Sequence, residues 1–259
     1  MTRMYENADA ANPSRLVLST NPENEPIYSS VAIQERRKRI LAEARRMIAH
    51  DGIDKFSIRT LCRNADVAQR TLYNAFQSKD RLIALAISEA YEDVNRHMRY
   101  RTPPDTLVGI IDRLISVNTR NLKARNYTRA VVSLYFSPTI SEDIWNALRG
   151  MAFRNLRQWL ERMAHQGALE PWINVEEAAG DFANLEYSII NDWAVGRLSD
   201  DAYLPRLILS VLTHTAGITF GPYRDEAIAM AKAIRDTGVL PEFPKPVYVP
   251  SQDESLAAS

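Results

Sequence analysis

Cysteine is almost missing. Cys62 is the only one among 259 residues, so no intramolecular disulfide can form and a cysteine-built metal site is excluded. Glycine is scarce, at 9 residues, and none of the 13 prolines falls between Ile27 and Thr102, so that stretch is free to stay helical. No apolar run approaches the roughly 20 residues that span a bilayer. The opening MTRMYENADAANPS lacks the apolar centre of a secretory signal. A soluble, cytoplasmic protein with no membrane partner is expected, and a lone thiol fits a reducing compartment. An excess of charge is missing too. The 32 Lys and Arg balance the 32 Asp and Glu, which for the chain as a whole argues against a basic coat protein or a long acidic tail. There is no Gly-x-Ser-x-Gly, no dinucleotide-type glycine loop, no phosphate loop and no His-Glu-x-x-His. His97, His165 and His214 have no Cys or His neighbour at ligand spacing. No metal and no cofactor is expected. An all-α enzyme that assembles its carboxylates and histidines from distant helices is a remote alternative.

What is present is ordinary in amount and uneven in placement. Hydrophobic residues make up 46% and charged residues 25%, enough for a sizeable core in a chain of this length. From Gln34 to Arg81 there are 12 Lys and Arg against 6 Asp and Glu, a net of +6, so the remainder sums to −6. Residues 1–30, with Pro13, Pro22 and Pro26 and no apolar periodicity, read as a flexible arm. Residues 241–259 carry four prolines and read as an extended tail that can pack through Phe243, Val247 and Tyr248.

Between these ends the pattern is helical. Ile33, Ile40, Ala44, Met47 and Ile48 form one stripe, with a stop at Gly52. Ser57 can cap a short helix, Asp66 sits at a tight turn, and a second short helix covers about 68–76. Ser78 can cap a long helix from Lys79, which Pro103-Pro104 ends. Further helices are expected at about 105–123, 127–136, 142–166, 175–195, 200–220 and 223–236, with Asn174 and Glu177 as a capping-box-like start. Sustained period-two alternation is absent. The expected class is all-α, with an N-terminal three-helix head over 31–78 and a larger helical region over 79–240.

Two short helices joined by a tight turn, after a longer helix, make a helix-turn-helix arrangement. At 100° per residue, Gln69, Tyr73, Arg70 and Asn74 lie at about 0°, 40°, 100° and 140°, and Leu72, Phe76, Thr71 and Ala75 occupy the other side. The polar side holds no acid, as a face that meets phosphate requires. Gln can read adenine and Arg guanine in a major groove. The cluster Arg36-Arg37-Lys38-Arg39 adjoins this motif and can lie along a DNA backbone, or form a solvated helix face.

The run Gly52, Ile58, Leu61-Cys62, Ala65-Asp66-Val67, Thr71-Leu72-Tyr73, Phe76, Ser78-Lys79-Asp80 and Leu82 resembles the DNA-binding segment of the tetracycline-repressor (TetR/AcrR) family over Ile33 to Leu82. The resemblance implies that double-stranded operator DNA is met by Arg36, Arg37, Arg59, Gln69, Arg70, Thr71, Tyr73, Asn74 and Lys79, with Tyr73 and Lys79 at phosphates. Leu72 and Phe76 match core positions. Asp66 departs from the common turn glycine, Ala68 from the common Ser or Thr cap, and Ala75 from a common His or Tyr.

For the later region the resemblance implies a ligand-binding and dimerising domain. Helices 175–195 and 200–220 match the helices that pair two copies into a homodimer. Tyr135, Trp145, Phe153, Asn184, Tyr187 and Asn191 are the candidates for contact with a small apolar or aromatic effector, or for plain core packing. Asn184, Tyr187 and Asn191 share a helix face by their spacing. The resulting expectation is a ligand-responsive repressor. The alternative is a DNA-bound architectural or cell-cycle protein of the same fold with no small ligand.

Overall fold

The computed structural model describes residues 31–249. The arm expected over 1–30 and the end of the tail, 250–259, lie outside the described residues.

α1 (Val31–Asp51) buries Ile40, Leu41, Ala44, Met47 and Ile48, the stripe seen in the sequence. It stops at Gly52, whose φ of 76° a side chain would resist and whose N–H reaches the Ile48 carbonyl at 3.0 Å. α2 (Ile58–Asn64) starts at the Ser57 cap, which accepts from the Thr60 N–H at 3.3 Å. The turn that follows runs through Asp66 at φ 52°. α3 (Gln69–Phe76) has no side-chain cap, because Ala68 stands at its N-terminus. It is held instead by burying Leu72 and Phe76 completely.

α4 (Lys79–His97) begins at the Ser78 cap, 3.0 Å from the Arg81 N–H. Its first half, from Leu82 to Ile87, closes the core of the head. The helix also packs on α7 and so enters the second core. The boundary expected at 78/79 therefore falls where a shared helix begins, and the head and the body have one wall in common.

The body contains α5 (Leu107–Lys123), α6 (Arg125–Tyr135), α7 (Glu142–His165), α8 (Val175–Ala194), α9 (Asp200–Ile218) and α10 (Gly221–Thr237). Thr106, Asn174 and Ser199 cap α5, α8 and α9 through their side-chain oxygens. α8 lies in the middle, packed on α6, α7 and α9. Its contact with α7 is close because Gly180 leaves room for the Arg149 guanidinium, 2.1 Å from where a Cβ would stand.

α9 is apolar on more than one side, which in the sequence reads as one face for the core and one for a partner. In the structure Tyr203, Leu207, Ile208, Val211, Leu212 and Ile218 are buried within the chain, against α5, α8 and α10, while Leu204, Leu209 and Ala216 stay half-exposed.

The tail is not wholly irregular. β2 (Val247–Tyr248) pairs antiparallel with β1 (Met98–Arg99), in register Met98 to Tyr248. The Tyr248 ring rests 5.5 Å from His97. Two-residue strands carry no periodicity a sequence can display, and this pair sits at the end of α4.

Candidate nucleic-acid interface and ligand cavity

The head presents α3 outward. Gln69, Arg70 and Asn74 are exposed and Tyr73 is 40% exposed. Thr71 is half-buried at the edge of this face. Ala75, placed on the inner side by helical angle, is exposed as well, so the inward grip of α3 is Leu72 and Phe76 alone. Arg59 on α2 is exposed, and Lys79 is half-buried with its ammonium 5.7 Å from the centre of the Phe56 ring.

The basic cluster divides into two kinds of residue. Arg36 and Lys38 are exposed. Arg37, expected beside Arg36 on DNA, has its guanidinium committed within the chain. It pairs with Glu89 at 2.8 Å and lies over the Phe76 ring at 5.2 Å. Arg39 donates to the Ala65 carbonyl at 3.1 Å, and Asn64 donates to Glu43 at 2.7 Å. α1 thus braces the turn between α2 and α3. The i, i+1 spacing in the cluster hides this, because neighbouring residues on a helix point in different directions.

Beneath the head lies a cavity of about 370 Å³, walled by α1, α4, α5, α6, α7 and α8. Its size suits a small organic molecule. Most of the wall is apolar, with Ile110, Leu114, Val131, Met151, Leu156 and Ile190 contributing. Arg45 and Ala49 belong to α1, so the head supplies part of the wall.

Of the six candidates for effector contact, Tyr187 lines this cavity. Its hydroxyl donates to the Leu148 carbonyl at 2.6 Å, and burial pushes its pKa well up. Tyr135, Trp145, Phe153, Asn184 and Asn191 do not line it. Tyr135 stacks on Tyr187 at 4.1 Å and on Trp145 at 5.7 Å, and donates to Asn184 at 2.6 Å. Phe153 lies 4.8 Å from the Arg149 guanidinium. Asn184 is exposed and Asn191 half-buried. The three-and-four spacing on α8 runs along the border of the buried face rather than through it.

The polar groups at the cavity are different ones. Glu186 is buried, and its carboxylate oxygen accepts from Asn118 Nδ2 at 3.1 Å. The Asn118 carbonyl oxygen accepts from Tyr203 Oη and from Asn121 Nδ2. Burial raises the Glu186 pKa, and the Asn118 hydrogen bond only partly opposes this. The signal was present in the sequence. Phe182, Glu186, Ile189, Ile190 and Trp193 follow one helical stripe, and a carboxylic acid stands in the middle of it.

A carboxyl group whose folded pKa lies above its unfolded value binds more protons when folded. Its contribution therefore falls as pH rises from about 4.5 through the folded pKa, and then levels. Glu186→Gln keeps an acceptor for Asn118 and removes the charge. The variant is expected to melt higher than the parent at pH 7–8, with the gap closing towards pH 4.5 in a series of melting curves. A gap that stays constant with pH would contradict the assignment.

α6 joins the two regions. Asn126 donates to the Ala49 and His50 carbonyls at 3.3 and 3.4 Å, at the end of α1. Tyr127 donates to the Ile87 carbonyl of α4 at 3.1 Å. The next residues along, Thr128, Val131 and Val132, line the cavity.

The family model for "Bacterial regulatory proteins, tetR family" matches residues 40–86. The chain is 37% identical over 76 residues to the HTH-type transcriptional repressor KstR of Rhodococcus jostii (strain RHA1). That match takes in 29% of this chain and 35% of the relative, so it spans about a third of the relative's length. Beyond the TetR-type head the likeness is one of fold. A TetR transcriptional regulator from Rhodococcus sp. RHA1 superposes with a TM-score of 0.56 at 14% identity, over 72% of this chain and 99% of that one. Thermus thermophilus FadR, a TetR-family repressor in complex with lauroyl-CoA, gives 0.51 at 15% identity, over 82% and 99%. Among the described residues no helix is long and apolar enough to cross a membrane, and no cluster of three His, Cys, Asp or Glu side chains could hold a metal.

Proposed function

We propose that the protein is a sequence-specific DNA-binding transcriptional regulator, a homodimeric repressor released from its operator by a small molecule. One observation carries this reading. An acid-free, outward-facing recognition helix is fixed to a head whose helices α1 and α4 also wall a largely apolar cavity. An architectural protein has no need of that cavity. The match of the head to a known repressor, and the presence of lauroyl-CoA in a protein of similar fold, support it.

Arg36, Arg59, Gln69, Arg70, Thr71, Tyr73, Asn74 and Lys79 are the proposed DNA contacts. Gln69 and Arg70 read bases, and Tyr73 and Lys79 meet phosphates. Arg37 acts through its hold on Phe76 and Glu89. A ligand that fits one head orientation better than the other shifts the balance between DNA-bound and free forms. A two-fold dimer spaces two recognition helices roughly 34–36 Å apart, one helical turn of DNA.

Purified full-length protein is expected to prefer the region upstream of its own gene over random DNA by about a thousand-fold or more at physiological salt, and to sediment as a dimer. No preference between the two DNAs at moderate salt would overturn the reading.

A further inference from the structure

The charged groups of the cavity do not balance. Three arginines reach it, Arg45 from α1 and Arg113 and Arg120 from α5, against the one carboxyl of Glu186. Arg113 is already engaged. It donates to the Gly109 carbonyl at 2.7 Å and the Thr102 carbonyl at 3.2 Å, with the Tyr100 ring 4.5 Å below it. Arg45 and Arg120 are in another position. Among the described residues neither has a carboxylate within ion-pair distance or a side-chain hydrogen bond, while most other arginines of the body and of α1 have one or both. Glu186 does not serve them either. Its hydrogen bond goes to Asn118, and burial raises its pKa.

A cavity that is apolar through most of its wall, and is lined by two guanidinium groups with no carboxylate partner, is complementary to a molecule with an apolar body and an anionic end. The arginine fork fits a carboxylate in two-point contact, which a point charge does not. α1 packs on α2, α4 and α6, and α8 on α6, α7 and α9, so Arg45 and Glu186 enter from separate walls.

We propose that the effector is an amphipathic carboxylic acid whose hydrocarbon body fills the cavity and whose carboxylate is held between Arg45 of α1 and Arg120 of α5. The inference rests on the reading of the cavity as an effector site, and it adds two things to that reading. It names the chemical class, and it places one contact of the ligand on the first helix of the DNA-binding head. A bound acid then bridges head and body directly.

The test is calorimetric titration of the full-length protein at pH 7.5 with decanoate and 1-naphthoate, each beside its alcohol, decan-1-ol and 1-naphthalenemethanol. One acid or both are expected to bind roughly ten- to hundred-fold tighter than the matching alcohol, the range of a charge-assisted hydrogen-bonded contact. Arg45→Gln and Arg120→Gln are expected each to bring the acid down towards its alcohol, leaving the affinity for the alcohol and the melting temperature unchanged. Arg45→Lys, which keeps the charge without the fork, should retain part of the preference. Equal binding of acid and alcohol, no binding of either acid, or a preference untouched by both Gln substitutions would each overturn the proposal. DNA binding by the same ligand-free preparation separates the two readings. If operator preference is intact while the acids fail, only this inference falls. If operator preference is absent as well, the regulator reading falls with it.

Discussion

Phe76→Ala is expected to abolish operator binding by releasing the recognition helix, although Phe76 touches no DNA in the proposed mode. α3 has 8 residues and no side-chain cap, and isolated helices shorter than about 12–15 residues are marginal in water. Its conformation is therefore set by what it buries. Leu72 and Phe76 are both 0% exposed, and Phe76 also receives the Arg37 guanidinium on its ring. Truncating a buried phenylalanine costs about 3–5 kcal/mol, against a total stability of about 5–15 kcal/mol for a whole domain. The head loses most of its margin, while the cavity walls in α5, α7 and α8 keep their own core. The expected result is a lower first melting transition with specific DNA affinity lost. The neighbouring exposed Ala75→Ser should change stability by no more than about 0.5 kcal/mol. A Phe76→Ala protein that melts and binds like the parent would show that something other than core burial holds α3.

The second large effect separates reading from anchoring. Arg70 is exposed in the first turn of α3, where a groove-facing side chain meets base edges. Arg70→Ala is expected to cost about 1–3 kcal/mol on the cognate site, roughly ten- to hundred-fold, with little change on random DNA. Lys79 stands in the first turn of α4, near the recognition helix and over the Phe56 ring. Lys79→Ala is expected to weaken all sequences alike and to lower the salt slope by about 1. Competition binding at several salt concentrations distinguishes the two. The reverse pattern, with Lys79 controlling sequence choice, would refute both roles.

The helices were legible because each start and stop has a local chemical cause. Ser57, Ser78 and Asn174 accept backbone N–H groups as their positions suggest, and Gly52 takes the left-handed conformation that ends α1. The polar face of α3 was legible for the same reason, since helical angle alone sorts Gln69 and Arg70 from Leu72 and Phe76. The cavity was not. Whether Tyr135 faces an empty space or another ring depends on how α6, α7 and α8 meet, and no local spacing encodes that. Three-and-four spacing on α8 singles out Asn184, Tyr187 and Asn191, and not Glu186 in its apolar stripe or the arginines of α1 and α5. The double duty of Arg37 was hidden too, because its partner Glu89 lies 52 residues away in the chain. The pairing of β1 with β2 joins residues still farther apart, from the end of α4 to the tail.

The helix shared by head and body behaves as a lever. α4 has 19 residues, which at 1.5 Å each make a rigid arm of about 28 Å. Its near end closes the head core under the recognition helix, and its far end is pinned where Val249 donates to the His97 carbonyl and β2 pairs with β1. An arm fixed at one end turns small angles into displacement at the other. A tilt of about 5° over that length moves the free end by about 2.5 Å, comparable with the reach of a hydrogen bond to a base. In the proposed mode of DNA reading, the strand pair β1–β2 anchors the end of that arm farthest from the head.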